Sequence, residues 1–191
     1  MTKIVAFAGV PNTGKTTLIQ GVPNKIVGLQ KHLEFQGCKV KVLKEFARMF
    51  FFMLPHNNKN YSDMTAFQKM VHASEIARLG ELQSLGNYYD FILIDRTFYE
   101  NQLFAEFNMD KGLCEQFEFF EDPCSKDIYD QVILLTEPIK DNTTEGLKHY
   151  NDREFVDDFN QQVRWYYKNK VTDYSNAKED RIAIFEQVIS L

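Results

Sequence analysis

An unbroken apolar run opens the chain. Residues 3–8, Lys-Ile-Val-Ala-Phe-Ala, have the mark of a strand buried on both faces. A glycine-bearing turn follows, and a helix is expected from Lys15 to Gln20. Gly21 to Asn24 reads as a break, because Gly and Pro interrupt helical hydrogen bonding. The spacing of Ile26, Leu29 and Leu33 predicts that a helix resumes over 25–36 and stops at Gly37. A strand is expected over 39–43, leading into Lys44-Glu45. The dense run at 46–54 stops at Pro55, and 56–63 is polar and loop-like. Phe67, Met70, Val71, Ile76, Leu79 and Leu82 recur at helical spacing, which predicts a long helix over 64–86. Tyr89-Asp90-Phe-Ile-Leu-Ile-Asp95 is the clearest strand. Residues 98–120 read as a helix interrupted near Lys111-Gly112. A strand at 131–135, a polar segment at 136–151, a helix at 153–168, a short strand at 170–174 and a helix at 177–189 complete the pattern.

Strands alternating with helices predict a parallel α/β sheet with crossover connections. The length of 191 residues fits one domain with a core able to fold without disulfides or structural metals. The net charge of -5 argues against broad electrostatic capture of nucleic acid, while leaving a local basic cleft open. Cys38, Cys114 and Cys124 form neither a CxxC pair nor an even set, so free thiols in a reducing compartment are expected. No window reaches the ~18 apolar residues of a membrane span. No cleavage-site pattern follows the first strand. Together these features predict a cytoplasmic protein without membrane partners.

The candidate chemistry starts at Gly9-Val-Pro-Asn-Thr-Gly14-Lys15-Thr16, a full match to G-x-x-x-x-G-K-[ST] between a predicted strand and a predicted helix. The glycines let successive N–H groups turn inward toward phosphate oxygens. The start of the helix adds positive potential at the same place. Gly9, Asn12, Thr13, Gly14, Lys15, Thr16 and Thr17 are the expected nucleotide-binding residues. Lys15 should reach the β- and γ-phosphates, and the Thr16 hydroxyl should ligate Mg²⁺. A chance glycine-rich turn is the alternative, and the complete match in the right context disfavours it.

Phe91-Ile-Leu-Ile-Asp95 is a Walker-B-type strand whose terminal carboxylate can hold Mg²⁺ directly or through water. Arg96 follows where many hydrolytic ATPases carry a water-polarising glutamate. A guanidinium cannot act as that base, but it grips phosphoryl oxygens bidentately. The Asp95-Arg96 pair resembles the Asp-Arg or Glu-Arg pair of nucleoside and nucleotide kinases. Asp95 could also cap the helix after the strand. Glu45 closes the second strand, on the sheet edge where open α/β folds collect ligands. There it could deprotonate an acceptor hydroxyl, with Arg48 projecting from the next turn into the same cleft. The bland reading is an exposed ion pair of Glu45 with Arg48 or Lys44, worth under ~1 kcal/mol.

Glu45-Phe46-Ala47-Arg48 resembles the Glu-aromatic-Ala-Arg motif after the second strand in the kinase-domain family of NadR, the ribosylnicotinamide kinase, which is often grouped with AAA-type ATPases. Members carry the phosphate loop at the start, and many have an Asp-Arg pair after the third strand. They also carry a Gly-hydrophobic-Arg segment before a basic helix and an arginine near a final helix. This chain offers Glu145-Gly146-Leu147-Lys148, Arg153 and Arg181 in that order. It departs from the pattern at Lys148, where an arginine is usual, and that weakens bidentate phosphate recognition. It also lacks a His-x-Gly-His motif and the nucleotidyltransferase module of bifunctional NadR. The resemblance implies a P-loop NTPase three-layer sandwich, a central parallel sheet of about five strands and a small lid. It also implies ATP and Mg²⁺ as cofactors and a small-molecule acceptor.

The lid is expected at about 136–153, where Lys140, Lys148 and Arg153 could come onto the transferring group, Arg153 foremost. Its closure would exclude water. A solvated loop is the alternative. The aromatic clusters at 50–52 and 117–120 fit core packing or a homodimer surface, with one or two rings free to stack an acceptor base. His32, His56, His72 and His149 show no metal-ligand spacing.

The leading expectation is phosphoryl transfer from ATP to a nucleoside, a nucleotide or a nicotinamide riboside-like molecule. Lys15, Arg96 and the lid cations would stabilise charge, with Glu45, Arg48, Arg96 and Lys148 on the acceptor. Whether Glu45 or Asp95 is the base stays open. A regulatory module with slow hydrolysis is the second reading. A polynucleotide end kinase is the third, and the acidic charge disfavours it.

Overall fold

The computed structural model describes residues 1–45, 61–108, 125–139 and 152–191. The expectations for Arg48, Lys140, Lys148, the aromatic clusters, Cys114, Cys124, His56 and His149, and most of the lid, lie outside the described residues.

Five parallel strands form the central sheet, in the spatial order β4-β5-β1-β6-β7. They are β1 (Lys3–Ala8), β4 (Val40–Leu43), β5 (Phe91–Asp95), β6 (Gln131–Leu135) and β7 (Val171–Tyr174). The apolar runs of β1, β5 and β6 are continuous because these inner strands are covered on both faces, whereas the edge strands β4 and β7 carry polar residues. Alternate residues serve opposite layers. Ala6, Ala8, Ile92, Ile94, Val132 and Leu134 pack in one core, and Val5, Phe7, Leu93, Ile133 and Leu135 in the other. The first core is closed by α3 (Tyr61–Leu85), α4 (Phe98–Asn108) and α6 (Arg153–Tyr167), through residues such as Leu82, Leu103, Phe104, Phe159 and Val163. The second is closed by α1 (Lys15–Gln20), α2 (Leu29–Phe35) and α7 (Arg181–Ile189), through Leu18, Ile19, Leu29, Leu33, Ile184 and Val188. A short helix, α5 (Ser125–Ile128), leads into β6. This is the expected three-layer α/β sandwich.

Three boundaries differ from the sequence pattern, the first being α3, expected over 64–86, which begins at Tyr61 within the stretch read as loop. The helix expected over 25–36 begins only at Leu29, because Gly21–Val22 (β2) and Ile26–Val27 (β3) pair as a small antiparallel ladder. Between them the Lys25 N–H donates to the Val22 carbonyl at 3.0 Å. Pro23 and a left-handed Asn24 (φ 60°) occupy the turn, the residue chemistry of a type II turn. The helix expected from 177 begins at Arg181. The Asn176 Oδ1 accepts the Lys178 and Glu179 N–H groups at 3.0 and 3.1 Å, an Asx turn that competes with helix. The stop at Gly37 holds: the Gly37 N–H donates to the Glu34 carbonyl and the Cys38 N–H to the Leu33 carbonyl, a Schellman closure.

The topology sets the site. β1 lies between β5 and β6, and its register pairs Phe7 with Asp95. The loop leaving β1 therefore runs past the carboxyl end of β5, and Glu45 follows β4 on the far side of β5. Among the described residues, no helix is long and apolar enough to cross a membrane.

Candidate active site

The loop of residues 9–14 turns back on itself through left-handed positions at Gly9, Asn12 and Gly14 (φ 138°, 68° and 89°). A Cβ on Gly9 would stand 2.4 Å from the Leu135 carbonyl oxygen, and one on Gly14 2.8 Å from the Ala177 Cβ. Neither position admits a side chain without moving backbone or a neighbour. Two outside strands of chain brace the loop. The Ile139 N–H donates to the Asn12 carbonyl at 2.9 Å, and the Ala177 N–H to the Thr13 carbonyl at 3.2 Å. The Asx turn at Asn176 thus shapes the support of this loop.

Lys15 is buried at the root of α1. Its ammonium donates to the Gly9 carbonyl at 2.5 Å, the Val10 carbonyl at 3.0 Å and the Thr13 hydroxyl at 3.3 Å. Burial pulls this ammonium below the usual lysine range, and the nearest opposing influence is Glu100. The charge stands in a low-dielectric loop, where an anion gains most from it. Thr16 is the next residue, and its hydroxyl donates to Asp95 Oδ2 at 2.7 Å. The other carboxylate oxygen, Asp95 Oδ1, is buried and has no hydrogen-bond partner among the described residues. A hydroxyl oxygen beside an unpartnered carboxylate oxygen is the donor set of a hard divalent cation. These residues fit Mg²⁺. Thr17, one position on, is exposed.

Glu45 and Arg96 meet across the ends of β4 and β5. Their side chains are largely buried, and Arg96 Nη1 lies 3.2 Å from Glu45 Oε1. Among the described residues, the cation paired with Glu45 is Arg96 rather than Lys44. The Arg96 guanidinium also lies 4.4 Å from the centroid of the Phe104 ring, a cation–π distance. Its backbone is left-handed (φ 78°), which is strained for a residue with a Cβ and is a conformation that clusters at functional sites.

Three buried charged residues complete the site, and the sequence reading assigned none of them. Glu100 is fully buried on α4. Its Oε1 accepts the Gly9 N–H at 2.9 Å, and its Oε2 accepts the Thr97 N–H at 2.6 Å. Burial pushes its carboxyl up, opposed chiefly by Lys15. Glu75 and Arg78 come from the middle of α3 and pair at 3.2 Å. Burial pushes the Glu75 carboxyl up to about 7, against the pull of Arg78. Signals existed for all three. Thr97-x-x-Glu100 is a capping box, and Glu75 and Arg78 fall on the Val71–Leu82 stripe that buries α3.

The structure does not gather every expected residue. Arg153 opens α6 fully exposed, with Nε 3.8 Å from Asp157 Oδ2. Arg181 opens α7, donates to the Val27 carbonyl and lies 5.1 Å from the Phe185 ring centroid. Neither joins the Lys15 cluster in this conformation.

A three-layer parallel sheet with this loop after its central strand and a carboxylate at the end of the neighbouring strand defines the P-loop NTPase class of domain. The chain belongs to the AAA domain family, whose pattern it matches over residues 4–182. Solved structures share the fold. A NadR protein in complex with NR aligns with a TM-score of 0.64 at 15% identity, over 99% of this chain and 49% of that one. A NadR protein in complex with NAD and AMP-PNP gives 0.59 at 17% identity, over 99% and 49%. Thymidylate kinase from Candida albicans gives 0.63 at 12% identity, over 99% and 92%. The chain therefore spans about half the length of these NadR proteins. At such identities the likeness is one of fold. No curated protein sequence matches the chain.

Proposed function

We propose that residues 1–191 form a single P-loop kinase domain that transfers the γ-phosphoryl group of ATP to a small acceptor. The acceptor would be a nucleoside, a nucleotide or a nicotinamide riboside-like molecule. The observation that carries this reading is the Glu45–Arg96 pair at 3.2 Å, next to the Thr16–Asp95 contact at 2.7 Å. A carboxylate and a guanidinium held together beside a phosphate loop provide a base and a phosphoryl grip in one place.

The roles follow from the contacts. Lys15 is held on the Gly9 and Val10 carbonyls, so its ammonium stands within the loop whose N–H groups would face the phosphates. In-line transfer needs positioning and charge stabilisation more than covalent help from the protein. Thr16 and Asp95 would hold Mg²⁺, which when bound neutralises charge on the phosphates. Asp95 already accepts the Thr16 hydroxyl, and its other oxygen is buried without a hydrogen-bond partner among the described residues. Nucleotide phosphate and water would complete the coordination, as is usual for Mg²⁺. Asp95 engaged in this way leaves Glu45 as the better base. Its partner Arg96 would release to the phosphoryl oxygens as the acceptor hydroxyl loses its proton to Glu45. Arg48, Lys148 and Arg153 remain candidates for acceptor contact and lid closure.

NadR in complex with NR and thymidylate kinase, the named structural likenesses, support a small-molecule acceptor by analogy of fold. The test is the rate of ADP formation with and without added acceptor. A kinase turns over faster with its acceptor, whereas a slow regulatory ATPase does not.

A further inference from the structure

Arg78, in the middle of α3, is a buried charged residue only 2% exposed. Its guanidinium bonds backbone carbonyls as well as Glu75. Nη1 donates to the Lys44 carbonyl at 3.3 Å and the Asp95 carbonyl at 3.2 Å, and Nη2 donates to the Arg96 carbonyl at 2.8 Å. Those three carbonyls belong to the residue preceding Glu45, to the residue that holds Thr16, and to the partner of Glu45. One side chain therefore bonds the ends of two adjacent strands at the three points from which the proposed chemistry is presented.

The surroundings fit a fixed role. Glu75 supplies the counter-charge at 3.2 Å, and the Phe98 ring lies 5.1 Å from the guanidinium carbon. Arg96 carries the strained left-handed backbone (φ 78°). That conformation is held from two sides, by its own N–H on the Phe7 carbonyl at 3.1 Å and by Arg78 on its carbonyl. A lysine presents its donors from one nitrogen, whereas the guanidinium fork sets two separate nitrogens on the carbonyls of both strand ends.

We propose that Arg78 is a positioning residue. It fixes the β4 and β5 ends so that Glu45 and Arg96 stay paired over the phosphate loop, and it holds Arg96 in the backbone conformation that aims its side chain there. This inference rests on the kinase reading for its catalytic consequence, but not for the clamp itself.

The test uses the full chain with Arg78→Lys, which keeps the charge and loses the fork. The variant should retain ATP affinity within about threefold, since the Lys15 loop is untouched, while kcat for acceptor phosphorylation falls at least about tenfold. Amide hydrogen exchange gives a readout independent of activity. Protection of the Arg96 N–H should fall by at least about tenfold, and protection of Leu18, whose N–H bonds to Gly14, should be unchanged. Glu75→Gln, which leaves Arg78 in place without its counter-charge, should produce the same pattern more weakly and serves if the first variant does not fold. Unchanged kcat per folded molecule, or unchanged Arg96 protection, overturns the proposal. If the wild-type protein phosphorylates no acceptor, the kinase reading fails and the exchange measurement still decides the clamp.

Discussion

The Thr16 hydroxyl and the Asp95 carboxylate, from the two ends of the nucleotide site, are joined by a 2.7 Å hydrogen bond. That bond links the loop after β1 to the end of β5, and the second Asp95 oxygen is buried without a hydrogen-bond partner among the described residues. A site assembled this way is ready for a cation that bridges both residues. Asp95→Asn removes the negative charge of the pair and should raise the Mg²⁺ concentration for half-maximal turnover by about tenfold or more. Titration of Mg²⁺ at fixed ATP reads the effect, and an unchanged midpoint would remove Asp95 from the metal site.

Glu45→Gln keeps the size of the side chain and removes its basicity. Transfer should fall by about 10²–10⁴-fold, with ATP affinity within a few-fold of wild type. Single-turnover transfer and nucleotide titration together make the check. Full activity in this variant would return the base role to Asp95.

Glu100 accepts the first N–H of the phosphate loop at 2.9 Å from a fully buried position. Glu100→Ala strands the Gly9 and Thr97 N–H groups, and each buried unsatisfied group costs about 1–3 kcal/mol. The variant should therefore lose several kcal/mol of stability and bind ATP more weakly. Urea unfolding and nucleotide titration would show both, and a variant as stable as wild type would contradict the role given to Glu100.

Glu75 makes stability depend on pH. Its carboxyl titrates at about 7 in the folded protein, against 4.5 as its ordinary value. The folded state therefore holds this proton more tightly than the unfolded chain. The contribution is fully present below about pH 4.5 and is lost as pH rises through 7, a swing on the order of 3 kcal/mol. Compared with Glu75→Gln in urea unfolding, the wild type should lose stability between pH 5 and 8, both values set by that window. Parallel stability profiles would mean that the carboxyl titrates normally.

Legibility in the sequence followed locality. Gly9, Gly14, Lys15 and Thr16 are contiguous, and their loop geometry is fixed by short-range sterics, so the pattern alone located them. Asp95 was legible because an apolar strand ending in a carboxylate is a local signal too. β1, β5 and β6 were found by the same logic, since a doubly covered strand leaves an unbroken apolar run. The Glu45–Arg96 pairing was not legible, because it depends on β4 and β5 being neighbours. Glu75 and Arg78 were passed over because charged residues in a long helix ordinarily read as its solvated face. Only the packing of α3 against the strand ends reveals that they are inside. The β2–β3 ladder was missed for the opposite reason: Ile26 fits a helical stripe with Leu29 and Leu33, and the turn chemistry of Pro23-Asn24 overrode it.

The most direct measurement of the central claim is phosphoryl transfer from γ-labelled ATP across nucleosides, nucleoside monophosphates, nicotinamide riboside and oligonucleotides. A water-only control and the Lys15→Ala variant would run alongside. The account expects label on one class of small acceptor and none with Lys15→Ala. Label released only as free phosphate, at one rate whatever the acceptor, would contradict it.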